Sequence, residues 1–151
     1  MNVKKLLQKI LENQRESHMM IGLSKNTTVS ISATWSWVTL PFNSILDRSG
    51  LFVNSSITNN CIVIPKNGIY RLSSMYTCQN GSYCSISVNG NNVLGGSGIQ
   101  SASSFASAPV PTVIRKLNSG DKVGCRVEKS GSSNPNIAGN GATYLLIEKI
   151  G

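Results

Sequence analysis

Cys61-Ile62-Val63-Ile64-Pro65-Lys66-Asn67-Gly68-Ile69-Tyr70-Arg71-Leu72 reads as strand, tight turn, strand. Residues 61–64 are apolar and largely β-branched, which suits a pleated, buried surface. Pro65 ends the first strand, because it has no N–H to give a ladder. Asn67-Gly68 tolerates the positive φ that a tight reversal needs. Beyond the turn, Tyr70, Leu72, Ser74, Tyr76 and Cys78 share one face, and Ile69, Arg71, Ser73, Met75 and Thr77 share the other.

Working outward, the same period recurs. Residues 28–40 are dense in β-formers, with Val29, Ile31, Ala33, Trp35, Trp37 and Thr39 on one alternation. Pro41 breaks that run, and Leu51-Phe52-Val53 reads as a short strand after the turn Asp47-Arg48-Ser49-Gly50. Gly95 to Ser107 is rich in Gly, Ser and Ala, so it reads as a loop or a loosely paired edge. Pro109 and Pro111 argue against a central strand there. Strand character resumes at Val113–Leu117. From Asp121 to Lys129, Val123, Cys125 and Val127 point inward, and Lys122, Arg126 and Glu128 point outward.

The closing stretch is different. Tyr144, Leu145, Leu146 and Ile147 are consecutively apolar. A sandwich strand with one wet face alternates; an unbroken apolar run has both faces covered. In a single-domain sandwich the second cover is another subunit, which assigns these four residues to a subunit interface.

Three segments taken in order resemble the family that includes tumour necrosis factor and the globular head of the complement first component. The apolar strand ending at Pro65, followed by Gly68-Ile69-Tyr70, is similar to that family's opening motif. Leu117-Asn118-Ser119-Gly120-Asp121-Lys122-Val123 resembles its Leu-x-x-Gly-Asp-x-Val, and residues 141–147 resemble its last strand. The likeness spans roughly residues 28–151. It implies an all-β jelly-roll sandwich, a homotrimer, and binding in place of catalysis. It adds Tyr70 to the trimer interface of Tyr144, Leu145, Leu146 and Ile147. Tyr stands in the last strand where Phe is usual, and no collagen repeat precedes the domain.

The N-terminus reads as a short α-helix over residues 3–21. Val3, Leu6, Leu7, Ile10 and Leu11 fall on one face, and Lys4, Lys5, Gln8, Lys9 and Glu12 on the other. Gly22 reads as its stop. The stripe is too short for an independent coiled coil, so it must borrow stability from sister helices above the trimer or from a groove in a larger assembly. The layout resembles that of small phage fibres and head decorations, which implies an anchor that docks on a capsid or tail protein. The expected organisation is an anchor helix at 1–22, a linker at 23–27 and the head at 28–151.

Charge and chemistry narrow the function. Fourteen Lys and Arg against six Asp and Glu give a formal net charge of +8 in 151 residues. That balance suits an anionic partner, and a nucleic-acid-binding protein is carried as a third reading. No basic run exceeds two residues and no aromatics interleave with them, which disfavours nucleic acid. No stretch approaches the ~20 apolar residues of a membrane span. Gln8, Lys9 and Glu12 interrupt any signal-peptide core, so synthesis in the cytoplasm is expected, and with it free thiols. An odd-length loop would pair Cys78 with Cys84 in a hairpin. That leaves a disulfide sterically allowed, with two buried thiols as the favoured alternative.

No catalytic constellation, cofactor or metal motif is legible. The single His18 lies in the expected helix, and Asp121 sits in a turn where Asp is favoured structurally. The favoured reading is a virion structural protein, a phage fibre or head decoration displaying a head for host adhesion. The alternative is a bacterial cell-surface or spore-coat module. Asn80, Tyr83, Asn134 and Asn136, in two polar loops, are the candidate contacts for a host glycan or protein.

Overall fold

The computed structural model describes residues 2–13, 17–93, 97–99 and 104–151, and for 9–13 and 97–99 the backbone alone. In chain order the elements are α1 (Val3–Asn13), β1 (Ser17–Gly22), β2 (Thr27–Thr28), β3 (Trp37–Thr39) and β4 (Ser44–Arg48). A single 3₁₀ turn (Gly50–Phe52) precedes β5 (Ile57–Thr58), β6 (Cys61–Val63), β7 (Gly68–Gln79) and β8 (Ser82–Val88). Then come β9 (Asn91–Asn92), β10 (Ser97–Ile99), β11 (Ala106–Leu117), β12 (Lys122–Lys129), β13 (Asn136–Ile137) and β14 (Tyr144–Lys149).

The strands form two antiparallel sheets. The first runs β2-β13-β7-β14-β1-β4, with β11 on the free side of β7. The second runs β10-β8-β12-β6-β5, with β3 on β12 and β9 on β8. The expected alternation of β7 holds: Tyr70, Leu72, Ser74, Tyr76 and Cys78 are buried between the sheets. Met19, Ile21, Leu145 and Ile147 join them from the first sheet, and Ile62, Cys84, Ile86, Val123, Cys125 and Val127 from the second. Phe52 closes one end, its ring edge-on to Tyr70 at 6.3 Å. The Tyr70 hydroxyl donates to the Lys66 carbonyl at 2.6 Å, so its polar tip is satisfied inside the core.

Four local expectations are corrected. The helix ends at Asn13, and Ser17–Gly22 is a strand between β14 and β4. His18-Met19-Met20-Ile21 alternates with period two, and Met19 and Ile21 enter the core. Gly22 is no helix stop: a Cβ there would lie 2.9 Å from both Leu46 Cδ1 and the Thr143 carbonyl. The head therefore begins at 17, and the expected linker already holds the buried Leu23. Second, residues 28–40 are not one strand. Val29 and Ile31 are buried, but the chain turns at Trp35 before β3. Third, residues 44–48 are a strand and 50–52 a turn, set by Gly50 at φ 57. Fourth, β7 and β8 are not a hairpin. The Asn80-Gly81 turn carries the chain from one sheet to the other, so no ladder pairs Cys78 with Cys84. All four cysteines are free. The edge expected at Pro109 and Pro111 is β11, whose register slips between Val110 and Val113.

Candidate binding surfaces

Asn2 caps the N-terminal helix, its Oδ1 accepting the Lys4 N–H at 3.0 Å. Val3, Leu6 and Leu7 of the expected anchor stripe are exposed. The side chains of Ile10 and Leu11 lie outside the described residues. Among the described residues, no helix is long and apolar enough to cross a membrane.

The five residues expected at a subunit interface separate into two groups by strand geometry. Tyr70, Leu145 and Ile147 are wholly buried in the subunit's own core, which removes them from any contact with a second chain. Tyr144 and Leu146 point the other way and stay half-buried. In register across the same outward face lie Met20 beside Leu146, Leu146 beside Ser73, and Tyr144 beside Met75. Leu46, over Gly22, extends the patch. The continuous apolar run is thus explained by one core row and one outward row.

The two candidate loops come together. Asn80 donates from Nδ2 to the Asn134 carbonyl at 2.9 Å, and the Ser130 N–H donates to the Gly81 carbonyl at 3.1 Å. Between them is a cavity of about 200 Å³ lined by Asn80, Gly81, Ser130, Gly131, Ser132 and Ser133. The amides themselves are committed. Asn134 Oδ1 accepts the Ile31 N–H at 3.0 Å, and Asn136 Nδ2 reaches Gln79 Oε1 at 3.5 Å. Tyr83 stands apart on the outward face of the second sheet, its ring stacked on Trp35 at 5.8 Å and 26°. Sequence reading did not single out Trp35 as a site residue.

His18 is not on a helix remote from partners. On β1 its Nε2 meets Asp47 Oδ2 at 2.7 Å and its Nδ1 meets Ser49 Oγ at 2.8 Å. The hydrogen bond from His18 holds the Asp47 carboxyl below its ordinary range, with help from the Arg48 N–H. The orienting carboxylate of a hydrolytic Ser-His-Asp relay is buried. That of Asp47 is 65% exposed. The trio instead staples β1 to the turn after β4, as does the Leu51 N–H donating to Ser17 Oγ at 3.0 Å. The Cys84 thiol is pushed up by its hydrogen bond with Cys125 and by burial, which makes it a core hydrophobe and not a nucleophile. No group of His, Cys, Asp and Glu among the described residues is arranged to hold a metal ion.

Two antiparallel sheets face to face, with the long Gly-x-Tyr strand inside one of them, make a jelly-roll head of the tumour-necrosis-factor and complement type. The chain is similar to murine APRIL in its crystal structure at pH 8.5, with TM-score 0.63 and 14% identity over 90% of this chain and 100% of that one. It is similar to the globular domain of zebrafish complement 1qA, with TM-score 0.58 and 11% identity over 89% and 95%. It is also similar to the Eiger TNF of S. frugiperda, with TM-score 0.57 and 12% identity over 90% and 92%. At such identities the likeness is one of fold. No protein-family model and no curated protein matches the sequence.

Proposed function

We propose that this chain is a non-catalytic, homotrimeric binding head. The subunits meet through the outward face of the first sheet, and the N-terminal helix attaches the head to a larger particle. The observation that carries the reading is the apolar outward row of Met20, Tyr144, Leu146 and Met75, neutral side chains presented together by adjacent strands. Soluble monomers rarely keep such a face open; it marks a contact with protein. The exposed Val3, Leu6 and Leu7 supply a second, smaller apolar stripe suited to a groove in another protein. We take the particle to be a virion, with the head a fibre tip or head decoration whose loops are turned toward a host surface.

Static light scattering on a chain lacking residues 1–13 tests the assembly. A mass of three chains is expected, and a clean monomer mass would overturn the reading. The same trimer should no longer join its particle, because the docking stripe is gone while β1 is kept.

A further inference from the structure

We propose that the outward face of the second sheet carries a saccharide site, in which Trp35 and Tyr83 form a stacking platform and Glu128 accepts hydroxyl hydrogen bonds from a neutral pyranose. The proposal rests on the binding-head reading and names the ligand class and the residues of one of its surfaces.

Trp35 is the first observation. Its backbone sits at φ 66, a region bulky residues enter only under constraint. Such strain is ordinarily compensated by burial of the side chain, yet Trp35 is 61% exposed. Its N–H holds the loop to the Lys129 carbonyl at 3.2 Å, and its ring stacks on Tyr83. A strained backbone that holds a large ring out in water serves something other than packing.

Glu128 is the second, independent observation. Register places it between Trp37 on β3 and Tyr83 on β8, all three on the outward face. Gly98 on β10 follows in the same row and adds no side chain beside the Tyr83 ring. Glu128 is only 7% exposed, and burial pushes its carboxyl above the usual range. It makes no hydrogen bond and no ion pair among the described residues, and no buried side-chain oxygen there lacks a partner. The carboxylate oxygens of this otherwise covered residue therefore reach solvent beside the rings, where a ligand's hydroxyls can donate to them.

The ligand class follows from what surrounds that carboxylate. A pyranose has an apolar C–H face, which an aromatic ring covers, and a rim of hydroxyl donors, which a carboxylate accepts. A quaternary ammonium would also suit aromatic rings. However, Arg126 shares the outward face two residues from Glu128, its Nη1 and Nη2 pinned to the carbonyls of Gly90 at 3.0 Å and Trp37 at 3.3 Å. A fixed cation on that face disfavours a cationic ligand. The polar cavity of residues 80–81 and 130–133 begins at the same end of β8 and gives a longer glycan somewhere to continue.

The two tryptophans give two indole N–H signals, so NMR of the intact ¹⁵N-labelled chain reads the site directly. The probes are the methyl glycosides of glucose, galactose and N-acetylglucosamine, with tetramethylammonium as the counter-probe. At least one glycoside should shift the Trp35 indole signal saturably, and tetramethylammonium should not. Glu128→Gln should weaken that response about tenfold, the effect of losing a charged acceptor. Trp35→Gly relieves the backbone and removes the ring, so it should fold at least as well and lose the response. Silence toward all three glycosides, a response to tetramethylammonium alone, or full binding by Trp35→Gly would each overturn the site. A trimer that ignores glycosides would leave the head reading standing without this site; a monomer that binds them would do the reverse.

Discussion

The outward faces of the two sheets share a scaffold and differ in what they present. On the first sheet the central positions are Met20, Tyr144, Leu146 and Met75, with Asp47 and His18 beside Met20 toward the β4 edge and the ion pair of Arg71 and Glu148 at 3.5 Å toward an end. On the second they are Trp37, Glu128, Tyr83 and Arg126, with Lys122 beyond. An apolar neighbour can cover the centre of the first face while its charged groups stay at the margin. The second would strand Glu128 and Arg126 at its centre under any such cover. On that difference we propose one face of the sandwich for self-association and the other for a small polar ligand.

The largest test of that contrast is Leu146→Asp. It sets a carboxylate in the middle of the apolar face, and a buried unpaired charge costs about 3–5 kcal/mol. Light scattering should show the trimer lost. Lys122→Glu reverses a charge on the second sheet's exposed face and should leave the mass unchanged. If both variants stay trimeric, the apolar face is not the interface.

Ile147→Ala, one residue along the same strand, should behave differently. Ile147 is fully buried between the sheets, so its truncation opens a cavity at about 2–4 kcal/mol. Denaturant titration should show that loss equally at low and high protein concentration. A concentration-dependent loss would mean that the two faces of β14 are not independent.

That contrast was only half legible in the sequence. The continuous run at residues 144–147 marks a strand apolar on both faces, but the run alone does not say which of its residues faces home. Register does, because Leu145 and Ile147 sit beside Ser74 and Leu72 of the inward row. The alternations of β7 and β12 were readable because each has one buried and one outward face over many residues. Strand β1 was not, since its Met and Ile residues also fit a helix and only the gap between β14 and β4 makes them a strand. Asn80-Gly81 marks a reversal locally, but whether a reversal stays in its sheet depends on partners far along the chain. The His18 cluster spans 29 and 31 residues of sequence, beyond any local spacing. Alternation correctly put Glu128 outward beside Lys122 and Arg126. Its burial comes from β3 and β8 neighbours that no one-dimensional pattern shows.

A smaller effect concerns the loop cluster beside the second face. Asn80 sits at φ 74 and holds Asn134 through its amide. Asn80→Ala loses both the tolerance and the bond, so it should cost about 1–2 kcal/mol, or about 2–4 °C per kcal/mol in a thermal melt. Asn80→Gly keeps the backbone and should recover part of that loss. Equal midpoints for the Ala variant and the parent would show the loop to be held by other contacts.

The smallest effects carry opposite signs on the two sheets. Asp47, at the edge of the first, has its carboxyl lowered by His18. A depressed carboxyl stabilises the fold above its unfolded value, near 3.9, and that contribution is lost as pH falls through the folded value. Asp47→Asn should therefore lower the melting midpoint slightly at neutral pH, leave it unchanged in acid, and so flatten the acid limb of the profile. Glu128 has its carboxyl raised by burial. The fold is favoured while this acid is protonated, below its unfolded value near 4.3, and that advantage is lost as pH rises through the folded value. Glu128→Gln should then raise the thermal midpoint at neutral pH and leave it unchanged in acid. A variant that melts higher yet binds glycoside more weakly would show the carboxylate kept for a ligand at the expense of stability. A neutral-pH midpoint that falls instead would mean that Glu128 already has a donor in the folded chain, and the saccharide site would lose its acceptor.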